Sequence, residues 1–272
     1  MVTTIGEQLQ ESPIDLQTLV RELHRAGLLS EEDRARLAKA RTGSVHPLVY
    51  LAELNLVNAR NGKPLSMEAL LSWLSKVSGQ AVYQIDPLKI NVGAIAEVMS
   101  LAFAQRHRIL AVEVTEGEVV IASAEPWLTA WESNLEHVLR KPIRRVLADP
   151  RDILRHTAEF YNMARSVQGA HERGGQRATG GITNLEQMLE LGSMKEPDAN
   201  DQHIVNIVDW LLQYAFEQRA SDIHIEPRRD VGNVRFRIDG VLYNVYELPQ
   251  QVSAAVSSRF KILGRMDVAE KR

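Results

Sequence analysis

An α+β architecture is expected from three features of this 272-residue sequence. Apolar residues recur at helical spacing through its first third and again after residue 200, while short alternating runs near 110, 145 and 235 read as strands. A glycine-rich, polar stretch separates the two halves. The expected order is a helical plus α/β N-terminal domain, a flexible linker, then a small helix–antiparallel sheet–helix domain.

Leu16, Leu19, Val20, Leu23 and His24 mark the first helix, with Gly27 at its C-cap. Ser30 and Asp33 form a weaker capping box before the next. Two helices follow, about Leu48–Leu54 and Ser66–Ser78. Gly79–Pro87, carrying Val82, Tyr83 and Ile85, reads as a short strand, and Ala94–Arg106 as a helix. Ile109–Val114 and Glu118–Ala122 read as a hairpin around Glu116-Gly117. A helix at Trp127–Leu139, a strand at Ile143–Ala148 and a helix at Asp149–Met163 complete the domain at 1–163.

Five of the 16 glycines lie between Arg165 and Thr183, so 164–200 is expected to be linker. In the domain at 201–272, Ile204, Ile207, Val208, Leu211, Leu212, Ala215 and Phe216 predict a helix with an apolar stripe. Ser221–Glu226 alternates and stops at Pro227. Val234–Ile238 and Val241–Val245 flank Asp239-Gly240, a strong hairpin signal. In that register Val234, Phe236 and Ile238 face Val245, Tyr243 and Val241, and Arg235 and Arg237 share the other side. A helix at Gln250–Leu263 ends at Gly264.

Composition narrows the chemistry. Net charge is -3, from 32 Lys+Arg and 35 Asp+Glu, so no global field draws the chain to nucleic acid. Zero cysteines exclude disulfides, thiolate catalysis and cysteine-based zinc sites. No secretory leader or spanning apolar run is visible, so a cytosolic protein is expected. Gly62-Lys63 runs into Pro64 without the glycine five residues earlier, so no P-loop is present, nor is a G-x-G-x-x-G, H-E-x-x-H or G-x-S-x-G pattern. Asp222, His224 and Glu226 lie on one strand face; a solvated strand accounts for them better than a metal site, and no metal is expected. From Arg228 to Arg272, nine cations face five acids. Arg235 and Arg237 project from a short pinned hairpin; spacing alone favours surface ion pairs with Asp239 or Glu247, while the planar guanidinium also suits bidentate phosphate contact.

The runs Arg219–Pro227, Val234–Gly240 and Lys261–Arg272 together resemble the middle domain of the type II secretion and type IV pilus assembly ATPases, the GspE/PilB-like motors. Ile109–Val112, Val120–Pro126 and the helix reaching Tyr161 resemble the family's N-terminal domain more loosely. The resemblance implies a PAS-like middle domain leading into a RecA-like ATPase domain that is absent here, so the chain is expected to be part of a longer motor and not to hydrolyse ATP alone. It implies ATP and Mg as cofactors of the full-length protein and none for this portion. It also implies arginines that reach the nucleotide phosphates of the hexamer, assigned here to Arg235 and Arg237, with Arg265 and Arg272 near the interdomain hinge. Implied partners are cytoplasmic parts of an inner-membrane platform, the chain's own ATPase domain and neighbouring subunits, which would hold the motor peripherally at that membrane.

Some relatives bind cyclic di-GMP through tandem R-L-G-x-x-L-V-x-x-G-x-I motifs. Here the copies fall at Thr18–Leu29 and His46–Val57 without the leading Arg and its Gly, so binding is not expected. A cyclic di-GMP-sensing module and an ATPase-less adaptor are the alternative readings.

Overall fold

The computed structural model describes residues 12–176 and 198–269. It divides into two compact units, one of residues 12–85 and 98–157, the other of 86–97 and the described residues from Ala158 onward.

The first unit opens with four helices: α1 (Leu16–Arg25), α2 (Glu31–Leu37), α3 (Pro47–Glu53) and α4 (Met67–Ser78). Each begins where a polar side chain satisfies an orphan N–H: Asp15 accepts from Thr18, Ser30 from Asp33, His46 from Leu48 and Ser66 from Ala69. Left-handed Gly79 ends α4 (φ 73°). Their apolar faces meet in one core that includes Leu19, Leu23, Leu48, Leu51, Leu70 and Leu74, all essentially inaccessible.

Helices α5 (Val92–Val98) and α6 (Leu101–His107) follow. The single helix expected over Ala94–Arg106 is broken because Ser100 caps a new start, accepting from Phe103 N–H at 3.2 Å. A three-stranded sheet comes next, with β1 (Ile109–Val114), β2 (Val119–Ser123) and β3 (Ile143–Leu147), in order β1-β2-β3. β1 pairs antiparallel with β2, and β2 runs parallel to β3. Helix α7 (Glu132–Leu139) makes the crossover and starts five residues later than expected. Gly79–Pro87 is not a strand: it makes one parallel bridge, Val82 to Leu147, with hydrogen bonds from Tyr83 N–H to Leu147 and from Leu147 N–H to Ala81. Asp86 turns the chain away, capping a 3₁₀ turn at Pro87–Lys89.

At the end of β2, a buried carboxylate joins distant segments. Glu125 accepts from Ile14 N–H at 2.7 Å and from His46 Nε2 at 3.1 Å. Leu48 N–H donates to His46 Nδ1, which leaves the proton on Nε2. The pair therefore fixes the approaches to α1 and α3 against the sheet.

Helix α8 (Pro150–Gln176) runs 27 residues. The first part of the expected linker, 164–176, is thus helical; the rest to 197 lies outside the described residues. The apolar stripe simply continues, since Phe160, Met163, Val167 and Ala170 are all buried. Gly169 is tolerated because His203 packs against it: a Cβ there would come within 2.6 Å of the imidazole.

The second unit contains α9 (Gln202–Glu217), β4 (Asp222–Pro227), β5 (Val231–Ile238), β6 (Val241–Pro249) and α10 (Gln250–Leu263). The sheet is antiparallel with β5 central. Asp239 and Gly240 both take positive φ, 48° and 82°, as a type I′ hairpin requires. The expected pairs Phe236–Tyr243 and Ile238–Val241 form, but Val234 faces Tyr246 because a bulge leaves Val245 as the extra residue. The buried stripe of α9 is also rotated from expectation. Tyr214 is buried and packs on Phe236 (ring centroids 5.5 Å apart), whereas Leu212 and Phe216 face outward, Phe216 at 87% exposure. Helix α10 crosses β5 so closely that a Cβ on Gly232 would meet Ser253 Oγ at 2.1 Å. Residues 86–97 pack against β6, where Gly93 approaches the Tyr246 hydroxyl.

Glu125→Ala removes the acceptor that gathers α1 and α3. Thermal or denaturant unfolding should show a loss of about 3 kcal/mol, because the buried Ile14 N–H and His46 Nε2–H are left without an acceptor. Glu118→Ala, at an exposed pair with Arg144, should lose under about 1 kcal/mol.

Candidate functional site

The β4–β5 pair sorts its side chains by alternation. Val234 and Phe236 are fully buried on the helix-covered face of the sheet. Their neighbours Arg235 and Arg237 emerge on the other face, opposite His224 and Asp222 of β4. The structure thus brings together two of the four expected arginines, and the three polar residues Asp222, His224 and Glu226 share their face.

Arg237 Nε lies 3.2 Å from Asp222 Oδ2, Nη1 donates to the Gly240 carbonyl at 3.3 Å, and Nη2 stands 3.4 Å from His224 Nε2. Arg235 donates through Nη2 to Glu226. Beside that guanidinium, the Glu226 carboxyl is held below the ordinary glutamate range, first by the hydrogen bond and then by the charges of Arg235 and Arg228. Arg235 Nε is buried without a hydrogen-bond acceptor among the described residues. Arg235 is the more enclosed of the two, so Arg237 is the better placed to meet a ligand.

Arg265 lies elsewhere, exposed on the turn after α10 with φ 54°, and its side chain makes no hydrogen bond or ion pair to a described residue. Arg272 falls outside the described residues. With respect to ATP and Mg, the face fits as a cationic wall for a phosphate chain: it offers two guanidiniums, but no glycine-rich loop, and no group of three or more potential metal ligands occurs among the described residues.

Sequence spacing did not reveal the unit-one site around Glu125. His46 and Glu125 are 79 residues apart, and the only local hint is a glutamate closing the apolar run Val119–Ala124. Beside the pair opens a cavity of about 330 Å³, edged by Val45, Arg108, Arg151, Ile153 and Leu154. A second, about 790 Å³, is bordered by Lys39, Arg41, Thr42 and Arg108. Of the two degenerate tandem motifs, Gly27 and Asn55 occupy matching left-handed positions, φ 70° and 51°.

The family described as Type II/IV secretion system protein matches residues 197–272, the region carrying this sheet, and the MshEN domain matches 78–167. Type IV pilus assembly ATPase TfpB of Acinetobacter baylyi is 42% identical over 270 residues, 95% of this chain and 45% of that protein. The chain belongs to the type II secretion and type IV pilus assembly ATPase family. Other relatives in the family are type II secretion system protein E of Xanthomonas campestris pv. campestris, 26% identical over 245 residues (88% of this chain, 40% of that protein), and type IV pilus assembly ATPase PilB of Myxococcus xanthus, 27% identical over 203 (75% and 35%). The chain spans less than half the length of each of these curated relatives. A solved structure of MshE with cdg aligns over 54% of this chain and 99% of that one, with 17% identity and a TM-score of 0.35. Among the described residues, no helix is long and apolar enough to cross a membrane.

The linkage at Glu226 has a definite sign. A carboxyl held low in the folded state stabilises it above the unfolded value of about 4.3, and that contribution is lost as pH falls through the folded value. Carboxyl-detected NMR should therefore find Glu226 titrating below about 4.3, and Arg235→Met should raise its midpoint.

Proposed function

We propose that this chain is the N-terminal docking and arginine-supplying portion of a secretion or pilus assembly ATPase. In the intact motor, ATP and Mg are held by a separate ATPase domain, and Arg237 of one subunit reaches the nucleotide phosphates of its neighbour. The observation that carries this reading is the outward projection of Arg237 from a hairpin whose turn and buried face leave it little freedom. A fixed cation aimed at developing phosphate charge stabilises the transition state without reorganising as reaction proceeds. Arg235, more enclosed and tied to Glu226, adds a second guanidinium to the same face. Hydrolysis would drive assembly of pilus or pseudopilus subunits.

The first unit is proposed to hold the motor on cytoplasmic parts of an inner-membrane platform, placing the protein peripherally at that membrane. Exposed Val45 and Leu154 at the mouth of the smaller cavity suit such a contact.

The phosphate role can be tested in a chimera, with this chain replacing the aligned 270 residues of the Acinetobacter baylyi pilus ATPase. Arg237→Ala should slow ATP turnover by roughly tenfold or more, given that trans-acting arginines contribute up to several orders of magnitude, and should leave the melting temperature in place. Unchanged turnover removes the assignment.

A cyclic di-GMP-sensing module is the second reading, favoured by the larger cavity and its basic border of Lys39, Arg41 and Arg108. Against it stands the loss of both Arg-Leu-Gly leaders, which removes guanidinium stacking and close backbone approach. Isothermal titration of this chain with cyclic di-GMP is expected to show no micromolar binding; a micromolar isotherm reverses the ranking.

A further inference from the structure

Both arginines of the sheet face already hold carboxylates. The register produces this: Asp222 sits directly across from Arg237, and Glu226 lies one pleat beyond the residue facing Arg235, within diagonal reach. A carboxylate presents two oxygens to a guanidinium much as a phosphate does, so each arginine is occupied by an internal mimic of a phosphate group. The occupation is partial. Glu226 engages Nη2 of Arg235 and leaves Nε without an acceptor among the described residues. Asp222 reaches Arg237 on one side, while the other nitrogens turn to a carbonyl and an imidazole.

Exposure decides whether such pairs can open. The Asp222 side chain is 54% exposed and Arg237 36%, on a strand that pairs only with β5 among the described residues. Ion pairs this open to water are weak and exchange readily. A phosphate chain carries several charges and offers several oxygens at once, so it outcompetes a single carboxylate where a monovalent anion does not.

We propose that Asp222 and Glu226 are counter-ion residues that keep the Arg235–Arg237 face closed to anions until a nucleotide phosphate chain displaces them. This rests on the phosphate contact proposed above and adds its control: the face occupies itself when no nucleotide is presented, and selects for polyvalent anions.

The test uses this chain at low salt with inorganic tripolyphosphate as the probe, read by calorimetry and by the arginine Nε–Hε NMR signals. Asp222→Asn/Glu226→Gln should bind about tenfold more tightly than the unaltered chain, and adding Arg237→Ala should cancel the gain. Glu68→Gln/Glu116→Gln makes the same change in net charge at exposed positions in the other unit and should leave affinity within twofold. Equal binding by the double variant and the unaltered chain overturns the proposal, as does a gain that survives Arg237→Ala or is matched by the Glu68/Glu116 control. Should the double variant fail to fold, Asp222→Asn alone, on an open edge, should give about a threefold gain, and no gain there is equally decisive. The chimera separates the two claims. Turnover that depends on Arg237 without a tripolyphosphate gain removes the counter-ion role alone. Turnover that ignores Arg237 removes the phosphate contact itself.

Discussion

Alternation along β5 is the constraint on which the charged face depends. Successive side chains of a strand point to opposite sides, so burying Val234 and Phe236 on the helix-covered side sends Arg235 and Arg237 to the other. A slip of one residue would exchange the two sets, burying guanidiniums and exposing the core. Two devices prevent it. The Asp239-Gly240 turn fixes the start of the hairpin, and the bulge at Val245 fixes its far end by bringing Tyr246 opposite Val234. The acidic partners need no further device, because the β4 register delivers Asp222 and Glu226 to their arginines.

The first unit is organised by a different kind of interaction. Its helices share an apolar core that many alternative packings would satisfy nearly as well. Glu125 is less forgiving. A buried carboxylate requires donors at particular positions, and here they come from Ile14 and His46, residues that precede two separate helices. The apolar contacts supply most of the driving force, while this polar tie selects the way the helices enter the core.

Much of this fold was legible because its signals are local. Serines at 30 and 66 sit at helix starts, Gly79 at a helix end and Asp239-Gly240 at a hairpin, each decided by a few neighbouring atoms. What escaped was set by partners far along the chain. Gly169 reads as a linker glycine until His203 is seen filling the space beside it. Phe216 is the more apolar residue, yet Tyr214 is the one buried, because Phe236 stands behind it. The Val245 bulge reflects how β6 packs, not any residue in its turn. At the site, the common face of Arg235 and Arg237 followed from alternation alone. Their pairing with Asp222 and Glu226 needed the β4 register, which no turn residue specifies. His46 and Glu125 carried no shared pattern at all.

The second unit is discontinuous, taking residues 86–97 from well before the rest of its chain. During synthesis this segment leaves the ribosome about 150 residues ahead of β6, the strand it packs on. At roughly 5–20 residues per second, it waits on the order of ten to thirty seconds for that partner. Ile90, Val92 and Ile95, all buried in the finished fold, are without their final surroundings for that interval. The segment is therefore a point at which a nascent chain is open to chaperone capture, and the second unit cannot close before nearly all of its sequence has been made.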